Sequence, residues 1–81
     1  MKILLIEDNE LNREMLTRRL QRKGYTVICA YNGQHGISMA RSEQPNIILM
    51  DLSLPIMDGW TAVEKLKSNK LTTSIPIIAL T

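Results

Sequence analysis

The chain has 81 residues, of which 44% are hydrophobic and 22% are charged. This length and balance indicate one small globular domain and argue against intrinsic disorder. The formal net charge of +2 and the single cysteine do not support a nucleic-acid-binding protein or a disulfide scaffold. Because we find neither a secretory signal nor an apolar run of membrane-spanning length, we expect a cytoplasmic protein that does not bind membranes.

Four short apolar runs predict β-strands. Three of them are continuous, which is typical of strands that are covered on both faces of a parallel sheet: Ile3 to Ile6, Ile47 to Met50 and Ile77 to Leu80. The fourth run, Thr26 to Ala30, is less uniform and favours an edge strand. The three continuous runs are therefore predicted to belong in the centre of the sheet.

Helical patterns occupy the three intervals between the runs. The first spans about Asn9 to Lys23 and has an apolar face that we predict to point inward, formed by Leu11, Met15, Leu16 and Leu20. The second spans about Gly33 to Glu43, and the third starts near Asp58, whose side chain can cap it. With right-handed crossovers, this β-α-β-α-β-α-β order predicts an α/β protein with a doubly wound parallel sheet, ordered 2-1-3-4.

Acidic residues follow the predicted first and third strands. Glu7 and Asp8 come directly after the first run, and Asp51 comes directly after the third. These strands are neighbours in a sheet ordered 2-1-3-4, so the three carboxylates should meet at its carboxyl edge, where such sheets bind ligands. Two like charges about 4 Å apart repel by roughly 4 kcal/mol at an effective dielectric constant of about 20, so this cluster calls for a cation.

The ligand types favour Mg²⁺ over other metals. Carboxylate oxygens are hard ligands, and so sparse a set leaves room for water and a substrate phosphate, unlike a zinc site or a caged Ca²⁺ site. Such a metal supports phosphoryl transfer to a carboxylate, and Asp51 is the predicted nucleophile because it stands alone after a central strand. Thr81, which follows the fourth strand at the same edge, is predicted to donate its hydroxyl to a phosphoryl oxygen.

The chain resembles the response-regulator receiver domains of two-component signalling. The acid pair and the strand-ending Asp51 carry the resemblance, together with further stretches at family spacing: Gly24-Tyr25, Asn32-Gly33, Leu54-Pro55-Ile56-Met57-Asp58-Gly59 and Pro76-Ile77-Ile78-Ala79-Leu80-Thr81. The likeness covers the whole chain. It implies the flavodoxin-like fold of that family and a signalling module rather than an enzyme.

The resemblance also implies a role for each candidate site residue. The residue that matches Asp51 accepts a phosphoryl group from a histidine kinase or a phosphotransfer protein. Mg²⁺ is held by the residues matching Asp8 and Asp51 and by the backbone carbonyl matching Ser53. The acid that matches Glu7 reaches the metal through water, and the threonine that matches Thr81 moves toward the phosphoryl group when the switch turns on.

The chain also departs from the family pattern. In the family, a further helix, strand and helix follow the segment that matches Thr81, and they bring a lysine that pairs with the phosphoryl group. No lysine of this chain can be assigned to that role. We therefore interpret residues 1–81 as a single receiver-like domain without these elements. We expect its fourth-strand edge or an uncovered sheet face to bind a second copy of the chain or a complementary fragment.

Two other functions are considered. A phosphatase of the haloacid-dehalogenase type needs an Asp-x-Asp strand end, but Ser53 stands two residues after Asp51, so this match fails. A receiver fragment that no longer signals, and that acts as an interaction or self-associating structural module, stays open. Phosphate uptake on Asp51 in the presence of Mg²⁺ would distinguish a working receiver from such a fragment.

Arg13 and the other basic residues of the first helix are interpreted as a solvated face, and His35 as an exposed polar residue.

Overall fold

The computed structural model describes residues 1–51 and 56–80, with residues 56–58 described by their backbone alone. Strands and helices alternate along the chain, as the sequence predicts. The elements are β1 (Lys2–Ile6), α1 (Glu10–Arg22), β2 (Thr26–Ala30), α2 (Gly33–Glu43), β3 (Ile47–Asp51), α3 (Ile56–Ser68) and β4 (Ile77–Leu80).

The strands form one parallel sheet in the order β2-β1-β3-β4, which confirms the predicted order and the α/β fold class. β2 lies at one edge, as its less uniform sequence predicts. β1 and β3 are adjacent, and their register pairs Ile6 with Met50. The residues that follow this pair, Glu7 and Asp51, therefore lie side by side at the carboxyl edge of the sheet, which positions the candidate site.

The helices cover the two faces of the sheet unequally. The main core lies between the sheet and the α2–α3 pair, and its fully buried members include Leu4, Ile6, Ile48, Met50, Ala40 and Leu66. Strand residues alternate in direction, so Cys29 points to the opposite face, where its Sγ lies 3.3 Å from Oγ1 of Thr17 on α1. No residue of α1 is fully buried. The second face is therefore the more open one.

The predicted inward face of α1 is only half correct. Leu16 and Leu20 are half buried, but Leu11 is 75% exposed and Met15 is 47% exposed. The reason is that α1 packs on β1 and β2, and this contact reaches only one side of its apolar stripe. The third helix also differs from the prediction. It begins at Ile56, so Asp58 lies in its first turn rather than at its N-cap.

Gly36 of α2 packs directly against Ile6 of β1. A Cβ atom built on Gly36 would lie 2.8 Å from Cγ1 of Ile6, which is too close for two carbon atoms. Ile6 is fully buried and cannot move away without disturbing the core. We expect Gly36→Ala to lower the free energy of unfolding by about 1–3 kcal/mol through overpacking.

The matched control is Gly59→Ala in α3, where the added Cβ meets no atom of the described residues within 4 Å. This substitution should raise the free energy of unfolding by about 0.5–1 kcal/mol, because alanine is the better helix former. Urea unfolding of both variants measures the two effects. Equal effects of the two substitutions would show that the contact between Gly36 and Ile6 does not limit stability.

Candidate functional site

Three carboxylates meet at the carboxyl edge of the sheet, as the sequence predicts. Glu7 follows β1 directly, Asp8 is the next residue, and Asp51 is the last residue of β3. One oxygen from each carboxylate can be chosen so that all three atoms lie within 4.8 Å of one another. The cause is the parallel pairing of β1 with β3, which brings the two acidic strand ends together.

The other two predicted site residues, Ser53 and Thr81, lie outside the described residues. Their roles as a backbone metal ligand and as a hydroxyl donor therefore stay predictions. Asp8 is exposed at the edge of the cluster, so solvent and ligands can reach it. The cluster thus has an open side at Asp8 and a closed side at Glu7.

Glu7 is the most unusual member of the cluster, because only 1% of its surface is exposed. Among the described residues, neither of its carboxylate oxygens has a hydrogen-bond partner of good geometry. Removal from water raises the pKa of Glu7 from 4.5 to about 7, and Asp51 adds to the rise because it can share the proton of Glu7 and repels its charge. The Asn12 side chain and the Asn9 backbone N–H offset part of this pKa rise.

This arrangement fits a divalent cation. A buried carboxylate that has no hydrogen-bond partner of good geometry among the described residues, and that lies next to two further carboxylates, is costly when ionised, and a cation would remove that cost. The donor set consists of hard oxygens, which suits Mg²⁺, and it is sparse enough to leave coordination positions for water and phosphate oxygens. The residues present therefore fit a magnesium ion.

Sequence reasoning missed a second group of residues beside the cluster. Nη1 of Arg13 donates a hydrogen bond of 3.0 Å to the backbone oxygen of Glu7. The guanidinium carbon of the same residue lies 4.3 Å from the ring centre of Tyr31, which in turn contacts His35. A weak signal was available: Arg13 lies in the first turn of α1, and helical side chains lean toward the N-terminus of their helix, here toward the turn that carries the acids.

Comparison with known proteins identifies the family. Residues 3–81 match the sequence profile of the response regulator receiver domain. The chain belongs to this family. Response regulator receiver domains are signalling modules, and this one has the four-stranded core of the receiver fold with helices on both faces. Within its described residues, the receiver domain has no helix that is both long and apolar enough to cross a membrane.

The receiver domain is similar to several named proteins. It is 35% identical over 80 residues to protein PilH of Pseudomonas aeruginosa, and this match covers 99% of the chain but 66% of PilH. The receiver domain of sensor histidine kinase PA1611 from P. aeruginosa, solved with magnesium in its active site cleft, matches with a TM-score of 0.91 at 35% identity, over 99% of this chain and 66% of that chain. The chain therefore spans slightly less than two thirds of these relatives.

A third similarity concerns a complex. The crystal structure of histidine kinase ThkA with response regulator protein TrrA matches with a TM-score of 0.85 at 28% identity. The match covers 99% of this chain and 67% of the matched chain. In that structure, a response regulator is bound to a histidine kinase.

Proposed function

We propose that this receiver domain accepts a phosphoryl group on Asp51 from a histidine kinase or a phosphotransfer protein. The observation that carries the proposal is the cluster of three carboxylate oxygens within 4.8 Å at the ends of two adjacent parallel strands. Asp8, Asp51 and the backbone carbonyl of Ser53 would hold Mg²⁺, with Glu7 acting through water. The magnesium ion in the related PA1611 domain supports this assignment.

In the proposed reaction, a carboxylate oxygen of Asp51 attacks the phosphorus atom of the donor. A new O–P bond forms as the P–N bond of the donor's phosphohistidine breaks, and the departing imidazole takes up a proton. When bound, Mg²⁺ would supply positive charge that offsets the negative charge of the carboxylates and the phosphoryl oxygens. Glu7 and Asp8 attract the cation, and the hydroxyl of Thr81 would donate a hydrogen bond to the transferred group.

Intact mass measurement after incubation with a small phosphodonor tests the proposal. We expect the gain of one phosphoryl group in the presence of Mg²⁺ and none when a chelator removes the metal. A folded protein that gains no phosphoryl group under either condition would contradict the proposed acceptor role. It would favour the alternative, a module that binds partners without signalling.

The kinase partner is supported by the ThkA–TrrA complex. Transfer from a phosphorylated histidine kinase in place of the small donor tests this part of the proposal separately. The cytoplasmic location and the single-domain organisation stay predictions.

A second candidate function is self-association through β4. This strand pairs with β3 on one side, and no other strand in the described part of the chain pairs with its second side. Its central residue Ile78 is 46% exposed, so the open edge also offers an apolar surface. Such edges readily pair with another chain.

We expect the 81-residue chain to associate at micromolar concentration, as measured by light scattering. Ile78→Lys should shift the molecular mass toward the monomer, because it places a charge on the strand edge. Leu71→Lys is the matched control, since Leu71 is 57% exposed but lies outside the sheet. A monomeric wild-type chain would rule out this candidate.

A further inference from the structure

Arg13 links α1 to the turn that carries the acid cluster. Its Nη1 donates to the backbone oxygen of Glu7 at 3.0 Å, and this hydrogen bond is partly buried. The backbone N–H of Glu7 donates to the oxygen of Ala30 at 3.1 Å. Both polar backbone groups of Glu7 are therefore bonded, one to α1 and the other to the end of β2.

Tyr31, between β2 and α2, contacts the guanidinium group of Arg13 and is itself held by His35. Its Cζ lies 4.3 Å from the ring centre of Tyr31, which is the distance of a cation–π contact. The Tyr31 ring lies 5.0 Å from the ring of His35, and the Tyr31 N–H donates to Nδ1 of His35 at 3.2 Å. The His35 N–H in turn donates to the Asn32 side chain at 2.8 Å, which joins the group to the start of α2.

We propose that Arg13 is a positioning residue for the Mg²⁺ site, acting through the backbone of Glu7. This inference rests on the proposed magnesium binding. When all three carboxylates are ionised and no cation is bound, they repel one another, and this repulsion favours movement of the β1–α1 turn away from Asp51. The hydrogen bond from Arg13 and its stacking on Tyr31 resist this movement, so that Glu7 and Asp8 are already in place when the metal arrives.

The positive charge of Arg13 acts against Mg²⁺ binding, whereas its positioning of Glu7 favours it. A guanidinium beside the cluster repels Mg²⁺, so its removal would tighten binding if charge were the only contribution. Loss of positioning would weaken binding instead. The direction of the change in affinity therefore distinguishes the two roles.

Isothermal titration with Mg²⁺ alone, on the whole chain, measures this direction. We expect Arg13→Gln to weaken binding by about tenfold, as is usual for residues that orient metal ligands. Arg13→Lys should recover most of the affinity, because lysine keeps a donor for the Glu7 carbonyl and a cation for Tyr31. Arg18→Gln is the matched control: it removes the same charge from the same helix, but the Arg18 side chain is 71% exposed and pairs with Glu14 at 3.6 Å. It should not weaken binding.

Tyr31→Leu provides a second, milder test. Tyr31 is 54% exposed, so this change should leave the fold intact. Loss of the cation–π contact should weaken Mg²⁺ binding by about two- to fivefold. Combined with Arg13→Gln, it should have little further effect, because both act through the same guanidinium group.

Hydrogen exchange of the metal-free protein gives a readout that needs no bound ion. The Glu7 amide should exchange faster in Arg13→Gln than in Arg18→Gln, because the turn is less restrained.

The possible outcomes separate this inference from the proposed function. If the wild-type chain binds Mg²⁺ and Arg13→Gln binds it equally tightly or more tightly, the positioning role is overturned, but the metal site stands. Absence of saturable Mg²⁺ binding by the wild-type chain would overturn both. If Arg13→Gln does not fold, the Mg²⁺ affinity of Tyr31→Leu tests the inference instead. An affinity equal to that of the wild-type chain would overturn it.

Discussion

Asp51→Asn is expected to take up no phosphoryl group under conditions in which the wild-type chain gains one. The amide cannot form the acyl phosphate that the carboxylate forms, so the variant lacks the nucleophile of the proposed reaction. Because Asp51 is the last residue of the central strand β3, its side chain has a defined place beside Glu7 and Asp8. Intact mass after incubation with the phosphodonor and Mg²⁺ measures the effect.

Glu14→Gln is the matched control for this variant. It also converts one carboxylate to an amide, but the Glu14 side chain is 62% exposed on α1 and pairs with Arg18. We expect it to be phosphorylated like the wild-type chain. If Asp51→Asn still gained a phosphoryl group, the acceptor would be a different residue, even if the carboxylate cluster still bound Mg²⁺.

Glu7→Gln is expected to stabilise the metal-free protein at pH 8. Burial and Asp51 raise the pKa of Glu7 from 4.5 to about 7 in the folded state, so ionisation of this group opposes folding. The folded protein holds this proton over a pH range in which the unfolded chain has released it. The contribution of Glu7 to the free energy of unfolding of the wild-type chain is therefore greatest at acid pH. It falls as the pH rises from 4.5 through about 7.

The size of the effect follows from the pKa rise. The difference between 4.5 and about 7 corresponds to about 3 kcal/mol at pH 8, as an upper bound. The neutral amide of Glu7→Gln removes this cost, so the variant should exceed the wild type by about 2–3 kcal/mol at pH 8 and by little at pH 4.5. Urea unfolding at both pH values with a chelator present measures the difference.

The same substitution should weaken Mg²⁺ binding by about tenfold, because the cluster loses one of its three charges. Added Mg²⁺ should therefore narrow the stability gap, since it stabilises the wild-type chain more than the variant. Glu14→Gln again serves as the control and should show no pH-dependent gain. Equal stability of Glu7→Gln and the wild type at pH 8 would mean that burial of the Glu7 carboxylate carries no cost.

The sequence by itself determined the architecture and the meeting of the three acids. Continuous apolar runs and helical periodicity are local signals, and right-handed crossovers leave few ways to join them. Once β1 and β3 are neighbours, Glu7 and Asp51 must approach, because they directly follow the paired residues Ile6 and Met50. The family follows from the same motifs, since their spacing is also a local property of the chain.

Only the tertiary structure decided how these parts are packed. Periodicity marks Leu11 and Met15 as apolar, but whether they are covered depends on where α1 lies on the sheet. The contact of Arg13 with Tyr31 joins residues on different elements, which no local pattern predicts. The pKa of Glu7 likewise depends on exclusion of water by the whole fold, so its burial becomes visible only when the three-dimensional contacts are known.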